Sequence, residues 1–160
     1  MEVPAFEGLT VTPVDFPPRQ QPGGVHVGGP DWPDWSAPHP WRFFRRGLAA
    51  DDPPPEADAP APRLAGEHAC IGPVVGHFGH VVAEFASRVL PALDAAPGAR
   101  LLFAANRHPP FAEMGGAQRA VLDSFGVAPE RIEIAAAPVR VDRLFAPPQQ
   151  EHLGEYMPGE

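Results

Sequence analysis

Three side chains that can take, give or neutralise a proton recur every fourth residue in one stretch. They are His80, Glu84 and Arg88, within Gly76-His77-Phe78-Gly79-His80-Val81-Val82-Ala83-Glu84-Phe85-Ala86-Ser87-Arg88. Residues four apart are neighbours on an α-helix, so the spacing predicts one polar line carrying an imidazole, a carboxylate and a guanidinium. Such a line brings groups that can exchange protons and hold charge onto one face of the helix. The same spacing equally describes a solvated Glu84–Arg88 ion pair worth roughly 0.3–0.5 kcal/mol, with His80 an ordinary surface residue. His77, His80 and Glu84 form a second set at i, i+3 and i+7, and two histidines with a carboxylate can hold catalytic zinc. The order is not His-Glu-x-x-His, however, and His77 precedes the helix proper, so no metal is assigned.

Other chemistries lack their residues. Gly72, Gly76 and Gly79 are not spaced as Gly-x-Gly-x-x-Gly, and no Walker lysine follows them, which argues against a nicotinamide or ATP site. No Gly-x-Ser-x-Gly elbow occurs, and Ser87 falls mid-helix. Asn106, Arg107 and His108 follow a strand and could line the same cleft as His80, or form a plain surface loop. Trp32, Trp35 and Trp41 could stack on a ligand or simply cover the edge of a core.

Elements must hold these groups in place, and periodicity defines them. His68 to Val75 reads as a buried strand running into glycine-rich chain. Over residues 78–94, Phe78, Val81, Val82, Phe85, Val89 and Leu93 share an apolar stripe, with Leu90 at its edge, opposite the His80–Glu84–Arg88 line. Arg100 to Ala105 is a second buried strand. Residues 111–125 are a second helix with Met114, Ala117, Val121, Leu122 and Phe125 apolar, closed by Gly126 at C′ and by Pro129. Arg131 to Ala135 is a third strand and Val139 to Phe145 a fourth. Strands alternating with helices predict an α/β fold with a parallel sheet. His80 would then stand just beyond the carboxyl end of the first strand, where open α/β sheets bind ligands.

Composition bounds the rest. Of 24 prolines, 14 lie within residues 1–65. Proline fixes φ and removes a donor, so this region is expected to be an arm and linker (residues 1–65) laid on the domain. Short strands are possible near Gly23–Gly29 and Trp41–Arg46, and residues 51–63 have the composition of a linker. The twelve basic residues are all arginine, which reads as the imprint of a GC-rich genome. A net charge of −8 argues against a nucleic-acid partner. No run of about 18 apolar residues exists to span a membrane, and no signal peptide is visible. The single cysteine, Cys70, can form no internal disulfide, so a cytoplasmic location is expected.

The helix segment also carries a resemblance. His80-x-x-x-Glu84-x-x-x-Arg88-Val89, after a strand and a glycine-rich turn, resembles the family 61 glycosyltransferases, which include proteins of capsular polysaccharide biosynthesis. The stretches Leu122-Asp123-Ser124-Phe125-Gly126-Val127, Arg131-Ile132 and Val141-Asp142-Arg143-Leu144-Phe145-Ala146-Pro147 are similar to the family in order and spacing. The likeness spans about residues 66–150. One departure is His77, where such proteins commonly have asparagine or another small polar residue.

The resemblance implies a Rossmann-like N-terminal half of a GT-B architecture over residues 66–150, with 151–160 a tail or the start of an interdomain linker. It implies an inverting glycosyltransferase that moves a sugar from a nucleotide-sugar donor to a saccharide acceptor, with no cofactor and no required metal. On this reading His80 and Glu84 are the catalytic residues, and Arg88, His77, Asn106 and Arg107 bind substrate. Because the family's second half would begin near Glu160, the expectation is a fragment or a truncated gene product. Alone, such a chain should transfer no sugar, bind donor weakly and self-associate through the face left open. The competing readings are a non-catalytic Rossmann-like interaction module and a metal-dependent hydrolase.

Overall fold

The structure, a computed structural model, describes residues 2–14, 28–33, 60–76, 78–107, 110–111, 113–148, 151–152 and 155–156, with backbone only at residues 83, 84, 110, 111, 151, 152, 155 and 156. Its framework is a seven-stranded mixed sheet. Four strands are those the periodicity predicts: β4 (Arg63–Pro73), β5 (Arg100–Ala104), β8 (Ile132–Ala135) and β9 (Val139–Phe145). They run parallel, in the order β9-β4-β5-β8. The other three come from the region expected to be an arm. β1 (Ala5–Glu7) and β2 (Thr10–Thr12) both pair antiparallel with β9, and β3 (Gly29–Pro30) pairs antiparallel with β2. Residues 1–65, expected to be an arm and linker laid on the domain, thus contribute three short strands to the sheet. Proline is compatible with this because Pro4 and Pro13 flank strands of three residues rather than interrupting them, and Pro30 stands on the edge strand. The possible strand at 41–46 and most of the expected linker, residues 51–59, lie outside the described residues.

The sheet cannot be flat. In β4, Arg63 pairs with Arg140 near the start of β9, while Ala104 at the end of β5 pairs with Pro73. A flat ladder would set those two points roughly 30 Å apart at about 3.3 Å per residue. Yet Val11 pairs with Val139, and Val14, three residues on, bridges Asn106 just beyond β5. Three residues reach about 10 Å at most. The start of β9 is therefore curled over towards the end of β5, and the sheet forms a half-barrel. That curl also lets residues 136–138 alone join β8 to β9, where a parallel crossover normally needs a dozen residues or more. The α/β expectation holds, but the sheet is mixed and curled, and its last parallel connection has no helix. Two irregularities in β4, between Leu64 and Glu67 and between Cys70 and Gly72, supply the bend. Gly72 has φ +145°, and a Cβ there would lie 2.5 Å from the Phe85 ring.

Each face of the sheet has its own apolar cluster. Ala69, Ile71, Leu101 and Phe103 pack against helical residues Val81, Phe85, Val89, Ala92 and Leu122. Val11, Cys70, Leu102, Ala135, Val141 and Leu144 fill the other face. α3 (Gly116–Ser124) is shorter at its start than the predicted 111–125, and β7 (Pro110–Phe111) pairs with β6 (Asn106–Arg107) ahead of it. Its end is as expected. Gly126 has φ +72°, its N–H donates to Asp123 O, and Val127 N–H donates to Leu122 O, while Leu122 and Val127 meet in the core. That is a Schellman closure.

The helix predicted over 78–94 is not one helix. It comprises α1 (Phe78–His80), a π-helical turn (Val81–Phe85), a 3₁₀ turn (Ala86–Arg88) and α2 (Val89–Ala95). Pro91 supplies a reason. It has no N–H to give the carbonyl of Ser87, and its ring crowds that carbonyl, so a regular ladder cannot run through this turn. The predicted stripe divides. Val81, Phe85 and Val89 are buried and Leu93 packs partly buried, whereas Phe78, Val82 and Leu90 are exposed. A last hairpin, β10 (Glu151–His152) with β11 (Glu155–Tyr156), stands at the residues expected to be a tail.

Candidate functional site

β4 and β5 end side by side, joined beyond the ladder by Val74 N–H donating to Ala104 O at 2.8 Å. The chain leaving β5 is fixed from the N-terminal region. Val14 N–H donates to Ala105 O and Arg107 N–H donates to Val14 O, both at 2.8 Å. Asn106 and Arg107 therefore sit at a braced strand exit rather than in a loose loop. Asn106 is buried and Arg107 is exposed. His80 is half-buried and ends α1, seven residues past the end of β4. Asn106 and Arg107 thus stand at the carboxyl edge of β5, and His80 lies in the helical segment that follows β4. His77 and His108 lie outside the described residues, as does the side chain of Glu84, whose backbone belongs to the π turn.

Arg88, expected to bind substrate, is buried in the protein. Its exposure is 0 %. The four-residue spacing from His80 holds only on a continuous α-helix, and the π and 3₁₀ turns between them change the angular step. The spacing to apolar neighbours carried the signal. Arg88 is three after Phe85, seven after Val81 and four before Ala92, all buried, so it belongs with the inward stripe. There it acts on Cys70. Burial pushes that thiol up to about 11, and the Arg88 charge pulls the other way. A thiol so placed is an inert core group. Trp32 is 5 % exposed and meets Phe6 edge-on, with ring centroids 5.6 Å apart, which is the core-edge role. Trp35 and Trp41 lie outside the described residues.

Two buried polar side chains escaped the sequence reading. Gln118 donates from Nε2 to Pro73 O at 3.3 Å and so ties α3 to the end of β4, while its Oε1 has no partner. It lines a small apolar cleft with Ile71, Phe85, Val89 and Phe103, with space of about 10 Å³, near the size of one water. Its signal was weak: one glutamine on a short helix, with only its three- and four-residue spacing to Val121 and Leu122 to suggest an inward direction. His68 is the other. It is 1 % exposed in β4, and neither ring nitrogen has a hydrogen-bond partner. Desolvation lowers its tendency to hold a proton, with nearby Arg100 adding to this. The Gly66 carbonyl and the Glu133 and Asp142 carboxylates act oppositely.

Among the described residues no group of three or more His, Cys, Asp or Glu side chains is placed to hold a metal ion, and no helix is long and apolar enough to cross a membrane. Comparison with protein-family models, with curated proteins and with solved structures gives no match for this chain.

Proposed function

We propose that this chain serves sugar transfer from a nucleotide-sugar donor to a saccharide acceptor, as the likeness to the capsular polysaccharide family 61 glycosyltransferases implies, and that it does so as a Rossmann-like, cytoplasmic component of a GT-B-type enzyme. The observation that supports this most is the position of His80. It follows the carboxyl end of β4, and β4 is the strand at which the parallel order β8-β5-β4-β9 reverses direction. Such a reversal is where open α/β sheets take ligands. His80 accepts the proton of the acceptor hydroxyl through its imidazole, and the Glu84 carboxylate orients it or shares that task. Arg107, exposed beside buried Asn106, offers its guanidinium to the leaving diphosphate, for which a planar fork of donors is well suited. Arg88 positions the helix from inside and does not touch substrate. The reaction needs no cofactor in this scheme.

The burial of Arg88 favours one alternative, a non-catalytic interaction module, because it removes one of the three groups on the motif's line. Titration calorimetry with a panel of nucleotide-diphosphate sugars separates the two. The transferase reading expects saturable binding by at least one donor, in the millimolar range where binding is worth about 4 kcal/mol, weakened at least several-fold by Arg107→Ala. Heat of dilution alone across the whole panel would leave the interaction module standing instead.

A further inference from the structure

The first half of β4 is held differently from the second. β5 joins β4 only from the pair His68–Arg100 onward, so residues 63–67 are paired on one side alone, to β9. Their register there shifts between Leu64 and Glu67, and Gly66 has φ +94°. What fastens this segment is Asp142 of β9. Its carboxylate accepts from Arg63 Nε at 2.6 Å, from Arg63 Nη2 at 2.8 Å and from the backbone N–H of Gly66 at 3.1 Å. His68 stands at the end of the segment, buried, with both ring nitrogens unpartnered.

We propose that His68 is a proton-operated latch: protonated, it draws the Asp142 carboxylate from Arg63 and Gly66, and residues 63–67 separate from β9. The chemistry is a competition for one carboxylate. A neutral imidazole among Cys70, Leu102 and Leu144 asks for no counter-charge, whereas an imidazolium there must find one. Among the described residues, the charged and titratable groups on its side are few. β5 presents Arg100, whose Nη1 is already 2.6 Å from Glu133 Oε2 on β8. β9 presents Asp142, β4 itself presents Arg63 and the Cys70 thiol, and the Arg140 guanidinium at the start of β9 lies against Gly8. Glu67 alternates to the opposite side, where Arg143 joins it to Glu7. Glu133 stands on β8, one strand beyond β5, whereas Asp142 stands on β9, which pairs directly with β4, so Asp142 is the carboxylate on the adjoining strand. Hydrogen bonds from Arg63 and from the Gly66 N–H hold Asp142 down to about 2, so it stays charged throughout the range in which histidine titrates.

The sign follows from linkage. His68 binds its proton less readily folded than unfolded. The folded arrangement is therefore fully favoured above the ordinary histidine value, about 6.5, and loses ground as pH falls from there towards the folded value. Within that window the opening constant rises by about tenfold per pH unit. Two measurements on the whole chain test this: the NMR titration of the His68 ring, and amide hydrogen exchange between pH 7 and 5. Expected are a His68 midpoint below the ordinary value and a protection loss at residues 63–67 of tenfold or more that precedes global unfolding. His68→Leu should abolish that pH-dependent loss. An ordinary His68 midpoint, or protection at 63–67 that does not change with pH, overturns the latch. A folded His68→Leu protein that keeps the step does so as well. If His68→Leu fails to fold, the wild-type titration and exchange decide alone.

Discussion

Arg88 and His80 belong to one sequence motif but to different environments, and each is tested separately. Replacing a long, fully buried side chain by alanine costs about 2–5 kcal/mol, as large-to-small core changes do, while a solvated residue would cost within about 0.5 kcal/mol. Arg88→Ala should give the larger figure in urea unfolding, and a near-zero change would return Arg88 to the surface. His80→Ala should leave stability within the surface range. In an assembly that transfers sugar it should lower turnover by roughly 10²–10⁴, the range for an acid–base group. Turnover near that of the unaltered protein would remove His80 from the mechanism. The sequence made the order of β4 and the helical segment that carries His80 legible, because the apolar run of the strand and the glycine-rich turn both announce themselves. It hid Arg88's burial, since four-residue spacing assumes an α-helix and Pro91 sits where that assumption fails.

At the level of elements, the parallel strands and α3 were readable from apolar runs and from Gly126, whose backbone conformation requires glycine or an equivalent. The strands at residues 5–7, 10–12 and 29–30 were not. Two or three residues carry no period; those at 5–7 and 10–12 are held by β9, more than a hundred residues away, and those at 29–30 pair in turn with β2. The packing of the helical segment on the sheet rests on Phe85, 2 % exposed and set against Gly72. Phe85→Ala should cost about 3–5 kcal/mol. Gly72→Ala should destabilise by about 1–3 kcal/mol, because it combines a positive φ with a ring in the way. Unfolding midpoints that stay unchanged in both variants would place the helical segment elsewhere than on the sheet.

For the molecule as a whole, the N-terminal strands and the carboxyl edge of β4 and β5 form one connected structure, since Val14 braces the exit that carries Asn106 and Arg107. Deleting residues 1–14 should therefore remove cooperative unfolding, not merely shorten an arm. A truncated protein with an unchanged melting transition would show that those strands are dispensable. The curl that brings this about was beyond the sequence, because it arises from irregular pairing in β4 and from contacts between distant strands. The central claim, that the carboxyl edge is a nucleotide-sugar site, is tested most directly by chemical-shift mapping on the isotopically labelled chain during titration with a nucleotide-diphosphate sugar. Saturable shifts concentrated at residues 74–80 and 104–107, reduced in Arg107→Ala, are expected. Shifts confined to other parts of the molecule, or none at millimolar donor, would contradict it.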